Sequence, residues 1–487
     1  MKAFDNKYLK RIVFSIQMIS MILLIVMAYS VQLIPMKYLI GVGVFFVALL
    51  VGEYFLIFYK KEKSKRSLIT QILSIILSCG LMVGSFYFYK AGRTVNLMTE
   101  NKFQTRAFSV IVLKNSEIKN ETQLPKHQVG YISSIGTENM SYAVAEIQKN
   151  VGNINLKDNK DFKSLLSALY NKNVDAILLD EAFRSLVEQE KDTFSDDTRV
   201  IYQVTKDEEA VSSKSVDVTQ KPFLVFISGI DEYGDLSTVS RSDVNMLVGG
   251  VNPNTKQILL ISIPRDTYFP LHTSKGMDKF THAGIYGLQE SVNTLQDLVN
   301  EDINYYARMN FTSFIEIVDA LGGVTVHASQ DFTTKIGKYE IKKGENNLNA
   351  KQALAFVRER KSFIDGDFER GRNQQRMISA IVKKIGSPAI LTSFSSVLDT
   401  VSQSVETNFS SSEINALVQM QLADMPAWDI QSYQIEGTPD SLPCYSLGGV
   451  SASVVVPSDL SIQQTTNYID QLMAGEKIQT ETGDLDQ

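Results

Sequence analysis

The chain has 487 residues, 44% apolar and 21% charged, enough for two or three domains with real cores. Its net charge of −6 gives no reason to expect a nucleic-acid binder. The two cysteines, Cys79 and Cys444, argue against a disulfide framework, and the four histidines, none at metal-ligand spacing, argue against zinc chemistry.

Three apolar runs come first, at 12–34, 38–59 and 68–89, each long enough to cross a hydrocarbon core of ~30 Å. A cleaved signal peptide would explain one run, not three. Lys2, Lys7, Lys10 and Arg11 flank the first run, and "KKEKSKR" (60–66) joins the second to the third. The turn between the first and second carries only Lys37. The positive-inside rule predicts a multi-pass anchor with a cytoplasmic amino terminus and residues 90–487 outside the cell. The short cytoplasmic pieces cannot house a helix-turn-helix domain, so direct nucleic-acid contact is not expected. Glu53, within the second run, could mark an ion path as intramembrane acids do, but it is about two helical turns from the basic cytoplasmic end and is expected to snorkel there.

After a juxtamembrane linker at 91–106, residues 107–205 read as a small α/β accessory domain. "FSVIVLK", "QVGYIS" and "NVDAILLD" are strand-like; "MSYAVAEIQKN" and "FKSLLSALYN" have helical periodicity. Their order resembles one lobe of a periplasmic solute-binding protein, whose Gly and Ser turns could cradle a ligand, though the simpler reading is that they are only turns. Residues 206–220, polar and without periodicity, read as a second linker.

Residues 221–473 form a second α/β domain. "KPFLVFISGID" is a buried strand ending at Asp231. In "SRSDVNMLVGGVNPNTKQILLISIPRD", two apolar runs joined by the turn "NPNT" read as paired strands. Helices are expected at 287–299, before Gly322 and Gly323, along "NAKQALAFVRERK", at 366–385, after a capping box of Ser410 and Glu413, and near the end. "WDIQSYQI" and "SASVVVP" are late strands, and the acidic tail at 474–487 is expected to be disordered.

Arginines and acids recur at the ends of these elements. Asp231 ends the first strand, Arg241 and Asp243 precede the second, and Arg265 and Asp266 follow the third. Arg358 and Arg360 share a face if extended; Arg370 and Gln374 share one on a helix. Any one of these charges is explained by a solvated surface. Their repetition at strand ends, where α/β folds place ligands, points to a site. Guanidiniums match phosphate oxygens with a planar fork of donors and stay charged when partly buried. Several in one pocket suit adjacent phosphates, and separate aspartates suit Mg²⁺, a hard ion that bridges pyrophosphate. No serine elbow or Cys–His arrangement is evident. The residues alone therefore predict a magnesium-assisted pyrophosphate site outside the cell, for which polyprenyl-linked glycans are the plausible substrates.

"SRSDVNMLV", "ILLISIPRDTYF" and "ALAFVRERKSFIDGDFERGRNQQRMI", spread over a core at 223–384, together with the three leading runs, resemble the LytR–CpsA–Psr family, in particular its capsule-associated CpsA-type members. The resemblance implies an LCP-type catalytic domain with a central mixed sheet. It also implies an enzyme that moves capsular polysaccharide or exopolysaccharide from undecaprenyl pyrophosphate onto peptidoglycan, with pyrophosphate hydrolysis as a side activity. Further capsule-synthesis proteins are expected as partners. By the same resemblance Asp231 and Asp243 hold Mg²⁺. Arg241, Arg265, Arg358, Arg360 and Arg370 grip the pyrophosphate with Gln374 alongside, and Arg241, Asp243 and the other four arginines are the catalytic set. Many members have an arginine where this chain has Asn373, which leaves Arg372 or Arg376 as its replacement. Family members hold the prenyl tail in an apolar tunnel whose lining the sequence does not reveal. Two other readings are a membrane regulator of capsule synthesis, of the transcriptional-attenuator kind, and a glycan- or lipid-binding adaptor. The small cytoplasmic parts weigh against direct DNA contact, and the intact acids and arginines against a decayed site.

Overall fold

The computed structural model describes residues 7–32, 34–59, 65–98, 104–209, 211–230, 239, 246–388, 390 and 393–482. Three helices lead: α1 (Lys7–Val31), α2 (Met36–Phe58) and α3 (Lys65–Met98). Each contains a stretch long and apolar enough to cross a membrane, the third within Arg66–Lys90. Glu53 does not snorkel. Its carboxylate is buried against α3 and accepts a hydrogen bond from Ser74 at 3.0 Å, while Ser78 donates to Gln17 at 2.6 Å. Polar partners inside the bundle remove the reason to reach outward.

The accessory domain is a five-stranded sheet whose bounds exceed those expected. Strands β1 (Gln104–Leu113), β2 (Gln128–Tyr131), β3 (Asn155–Asp158), β4 (Ala176–Asp180) and β5 (Thr198–Glu208) run in the order β3-β2-β4-β1-β5. Helices α4 (Thr137–Val151) and α5 (Phe162–Tyr170) lie between them in sequence; a capping box of Asp161 and Ser164 opens α5. The linkers are shorter than expected. Helix α3 and strand β1 enter the first, and in the second Val211 and Val218 are buried and the Lys214 amide donates to the Asn304 carbonyl at 3.0 Å. Arg106, 1% exposed, ties the two domains together. It pairs with Asp180 at 2.7 Å and Glu208 at 2.9 Å and donates to the Ile285 carbonyl at 2.8 Å.

The larger domain is built on β6 (Phe223–Ile230), β7 (Met246–Asn252), β8 (Gln257–Ile263), β9 (Tyr305–Asn310), β12 (Glu406–Thr407) and β13 (Asp429–Gln434), in the order β12-β9-β6-β7-β8-β13. The sheet is mixed, with β9 parallel to β6, β13 parallel to β8, and antiparallel pairs elsewhere. Alternation along the strands sends successive side chains to opposite layers. Leu224, Phe226, Leu259 and Ile261 pack with α6 (Leu288–Val299) and the last helix, α12 (Asp459–Met473). Ile258 and Leu260 face the other layer. That layer holds α7 (Phe311–Ala320), α8 (Ala350–Arg358), α9 (Asp367–Gly386), α10 (Phe394–Ser404) and α11 (Ser411–Asp424). Small two-stranded pairings complete the domain, among them β10 (Val324–Ala328) with β11 (Gly344–Leu348), β14 (Gly437–Pro443) with β15 (Ser451–Pro457), and the short hairpin of Phe332–Thr333 with Glu340–Ile341. After α7 the chain reverses through Gly322 and Gly323, at φ +71° and +87°; a Cβ at Gly323 would lie 2.8 Å from the Leu348 carbonyl oxygen.

The described part of the tail, 474–482, does not fray as its composition predicts, and 483–487 lie outside the described residues. Ile478 is buried in the core beside α12, and Gln257 hydrogen-bonds both its amide and its carbonyl at 2.9 Å. One apolar residue and a buried glutamine outweigh a polar composition here. At the membrane end, Val31 and Phe88 pack with Leu398 and Val401 of α10 and with Ile414 and Val418 of α11. Lys37 reaches the Ala423 carbonyl at 2.5 Å, and Lys90 meets Asp399 at 2.5 Å.

Candidate active site

Four of the predicted arginines meet in one basin, brought by three separate elements. Strand β8 ends at Ile263, and Arg265 follows two residues on, its carbonyl accepting the Thr281 amide at 2.9 Å. Helix α8 ends at Arg358. Glu359 after it is extended, at φ −69° and ψ 129°, and carries the chain on to Arg360. Arg370 stands in the first turn of α9. Arg265, Arg358, Arg360 and Arg370 line a basin of about 1380 Å³ including its mouth, together with Lys335 and Lys361.

The basin is strongly electropositive. Asp367 lies 3.6 Å from Arg360 and 3.4 Å from Arg370; Asp266 lies 3.8 Å from Arg265 and 3.2 Å from Lys279. Arg358 stacks over the Phe311 ring at 4.1 Å. Burial lowers the proton affinity of Arg370 below the usual guanidinium range; Asp367 opposes this, and Arg265 and Arg360 add to it. Arg370 also sits at a helix N-terminus, where the backbone dipole is itself positive. Such a cluster favours a bound anion.

Behind the basin lies an apolar cavity of about 600 Å³ including its opening. Ile227 and Ile230 of β6, Phe311 and Phe314 of α7, Leu354 of α8 and Met377 of α9 line it. Val357 and Arg358 line both spaces, so the cavity and the basin adjoin at the end of α8. Gln374 is on the cavity side. Its amide donates to the Val357 carbonyl at 3.4 Å, and its buried oxygen has no hydrogen-bond partner among the described residues. The sharing of one helix face by Arg370 and Gln374 thus sends one to the polar space and the other to the edge of the apolar one.

Asp231, Arg241 and Asp243 lie outside the described residues. Among the described residues no three His, Cys, Asp or Glu side chains group as metal ligands. Ile230 ends β6 at the sheet edge where Ile263 ends β8, and Met246 pairs with Ile263 there. The two aspartates are thus close chain neighbours of strand ends bordering Arg265. The carboxylates of the site are oxygen donors of the kind Mg²⁺ takes.

Neither Arg372 nor Arg376 lines the basin. Arg372 pairs with Asp365 and with Glu369 at 2.6 Å; Arg376 is buried and pairs with Glu369 and Asn373, both at 2.7 Å. The charged residues in the basin or beside its arginines that the sequence did not single out are Lys335, Lys361, Glu359 and Asp367. Lys361 and Glu359 are interleaved with the arginines in "RERK", and Asp367 is three residues before Arg370. Lys335, on a distant hairpin, had no local signal.

The family model described as the LytR_cpsA_psr family matches residues 187–469. A protein of Bacillus licheniformis called polyisoprenyl-teichoic acid–peptidoglycan teichoic acid transferase TagU is 33% identical over 231 residues, 47% of this chain and 69% of that one. The TagU of Bacillus subtilis is 35% identical over 222 residues, 45% of this chain and 66% of that one. The crystal structure of Bacillus subtilis TagV is 26% identical, covering 53% of this chain and 99% of that one at a TM-score of 0.44.

Proposed function

The chain belongs to the LytR–CpsA–Psr family, and from that premise we propose that it is a membrane-anchored glycan phosphotransferase working on the outer face of the membrane. It moves capsular polysaccharide or exopolysaccharide from undecaprenyl pyrophosphate onto peptidoglycan. The observation that carries this reading is the junction at Val357 and Arg358, where a basin of arginines adjoins an apolar cavity. A polyprenyl pyrophosphate has that same division, a doubly anionic head on an apolar tail.

In this reading Arg265, Arg358, Arg360 and Arg370 grip the two phosphates, and the prenyl chain lies against Phe311, Phe314 and Met377. A sugar hydroxyl of peptidoglycan attacks the phosphorus attached to the glycan. The bond from that phosphorus to the bridging oxygen breaks, polyprenyl monophosphate leaves, and the hydroxyl proton passes to an aspartate of the site. The arginines, with Arg241, stabilise charge on the transferring phosphoryl group. Asp231 and Asp243 would hold Mg²⁺, which would supply further neutralisation of that charge. Water entering in place of the hydroxyl gives slow hydrolysis of the donor. A capsular polymer is favoured over teichoic acid by the three spans and the accessory domain. The TagU relatives match less than half of this chain, and it is the sequence motifs with the three leading runs that resemble CpsA-type members.

The test uses full-length protein in detergent, a lipid-linked oligosaccharide labelled in its glycan, Mg²⁺ and purified peptidoglycan. Label is expected to enter the wall fraction, and to do so roughly tenfold or more slowly with Arg265→Ala. No transfer by the wild type, with a donor and acceptor that a related transferase joins, would retire the reading.

A further inference from the structure

The basin holds more positive charge than a pyrophosphate needs. Asp367 stands beside Arg360 and Arg370, and Asp266 beside Arg265. The four guanidiniums, offset by these acids and by Glu359, face a head with one negative charge per phosphate, and it is the two lysines of the basin that bring its positive charge above that of the head. Lys335 and Lys361 line the same basin, and neither ammonium pairs with a carboxylate among the described residues.

Their placement is built by the fold. Lys335 sits on a hairpin whose strands are Phe332–Thr333 and Glu340–Ile341. Glu359, 4% exposed, ties that hairpin to the arginine segment. One of its oxygens accepts the Lys335 amide at 2.5 Å and the other the Ser362 amide at 3.1 Å. The Ser362 hydroxyl donates to the Thr333 carbonyl at 3.2 Å, and the Phe332 and Phe363 rings meet at 4.9 Å. A buried carboxylate is thus spent on holding the two lysine-bearing segments together at the basin wall.

We infer that Lys335 and Lys361 form a subsite for an anionic group on a sugar, a carboxylate or phosphate carried close to the reacting pyrophosphate. The inference rests on the transferase reading. The anion comes from the donor glycan or from the acceptor, whose stem peptides carry carboxylates; both present the same chemistry to the lysines.

The experiment compares two lipid-linked disaccharides that differ only in one carboxylate, with full-length protein and with the Lys335→Ala/Lys361→Ala double variant. Peptidoglycan acceptors with free and with amidated stem carboxylates form the second arm. The readout is the ratio of kcat/KM for anionic over neutral partner. Equilibrium binding of the two disaccharides and of soluble stem-bearing acceptor fragments is measured alongside. The wild type is expected to prefer the anionic partner about tenfold in one arm, and the double variant to lose that preference. A preference in the donor arm assigns the subsite to the donor, and one in the acceptor arm to the acceptor. A Lys335→Arg/Lys361→Arg variant should keep most of the preference. Equal treatment of anionic and neutral partners by the wild type in both arms, or a preference that survives the double variant, overturns the inference. Turnover of the neutral pair by the wild type checks the transferase reading separately, and the binding ratio decides the subsite if turnover is absent.

Discussion

At the scale of single residues the account rests on guanidinium geometry. Arg→Lys at Arg265, Arg358, Arg360 or Arg370 keeps the charge and loses the paired donors. Losing one hydrogen bond to a charged group at the transition state should slow turnover by roughly ten- to a hundredfold; steady-state rates of the four lysine variants with a lipid-linked donor check this. Arg370 allows a sharper separation. Folding weakens its hold on its proton, so its charge opposes stability. Arg370→Met should remove activity while holding or raising the melting temperature. A large fall in Tm would mean that Arg370 serves the core instead. The four arginines were legible because each stands beside an element end that periodicity could find. Lys335 was not, because only the pairing of a hairpin with Glu359, 24 residues away, brings it to the basin.

At the scale of elements, α9 is held by a carboxylate. Glu369 takes both Arg372 and Arg376 and accepts from Ser329 at 2.7 Å. Burial alone would raise its proton affinity; the Ser329 hydrogen bond and then Arg376 outweigh it and hold the carboxyl below the usual glutamate range. A depressed carboxyl contributes stability that is present above the unfolded value of about 4.3 and lost as pH falls through the lower folded value. The melting temperature should therefore drop on the acid side of about pH 4, with a smaller drop in Glu369→Gln. Glu369→Ala, which leaves Arg376 buried without that partner, should cost about 3–5 kcal/mol, measurable as a shift in denaturant midpoint. Most of the long strands and helices of the larger domain were readable from period; β9 (Tyr305–Asn310) and α10 (Phe394–Ser404) were not. Strands β3 and β5 were not. β3 is short and mostly exposed, and β5 owes its existence to pairing along the whole of β1. The start of the tail was misjudged because Gln257, far away in sequence, supplies the hydrogen bonds of Ile478.

At the scale of the whole molecule, the larger domain rests through α10 and α11 on the ends of the helical bundle. The exposed pair of Lys37 and Asp424 adds little to this, and the apolar contacts of Val31 and Leu398 carry it. The orientation argued from the basic 60–66 loop predicts that protease added to intact protoplasts digests everything after residue 90. Protection of that region would remove the substrate along with the topology. Transfer of a glycan phosphate is checked by mass spectrometry of both products from one reaction of full-length protein with lipid-linked oligosaccharide, Mg²⁺ and peptidoglycan. The account predicts a muramidase fragment joined to the glycan through a phosphodiester, with polyprenyl monophosphate in equal amount. A glycan joined by a plain glycosidic bond, with polyprenyl pyrophosphate released, would contradict it.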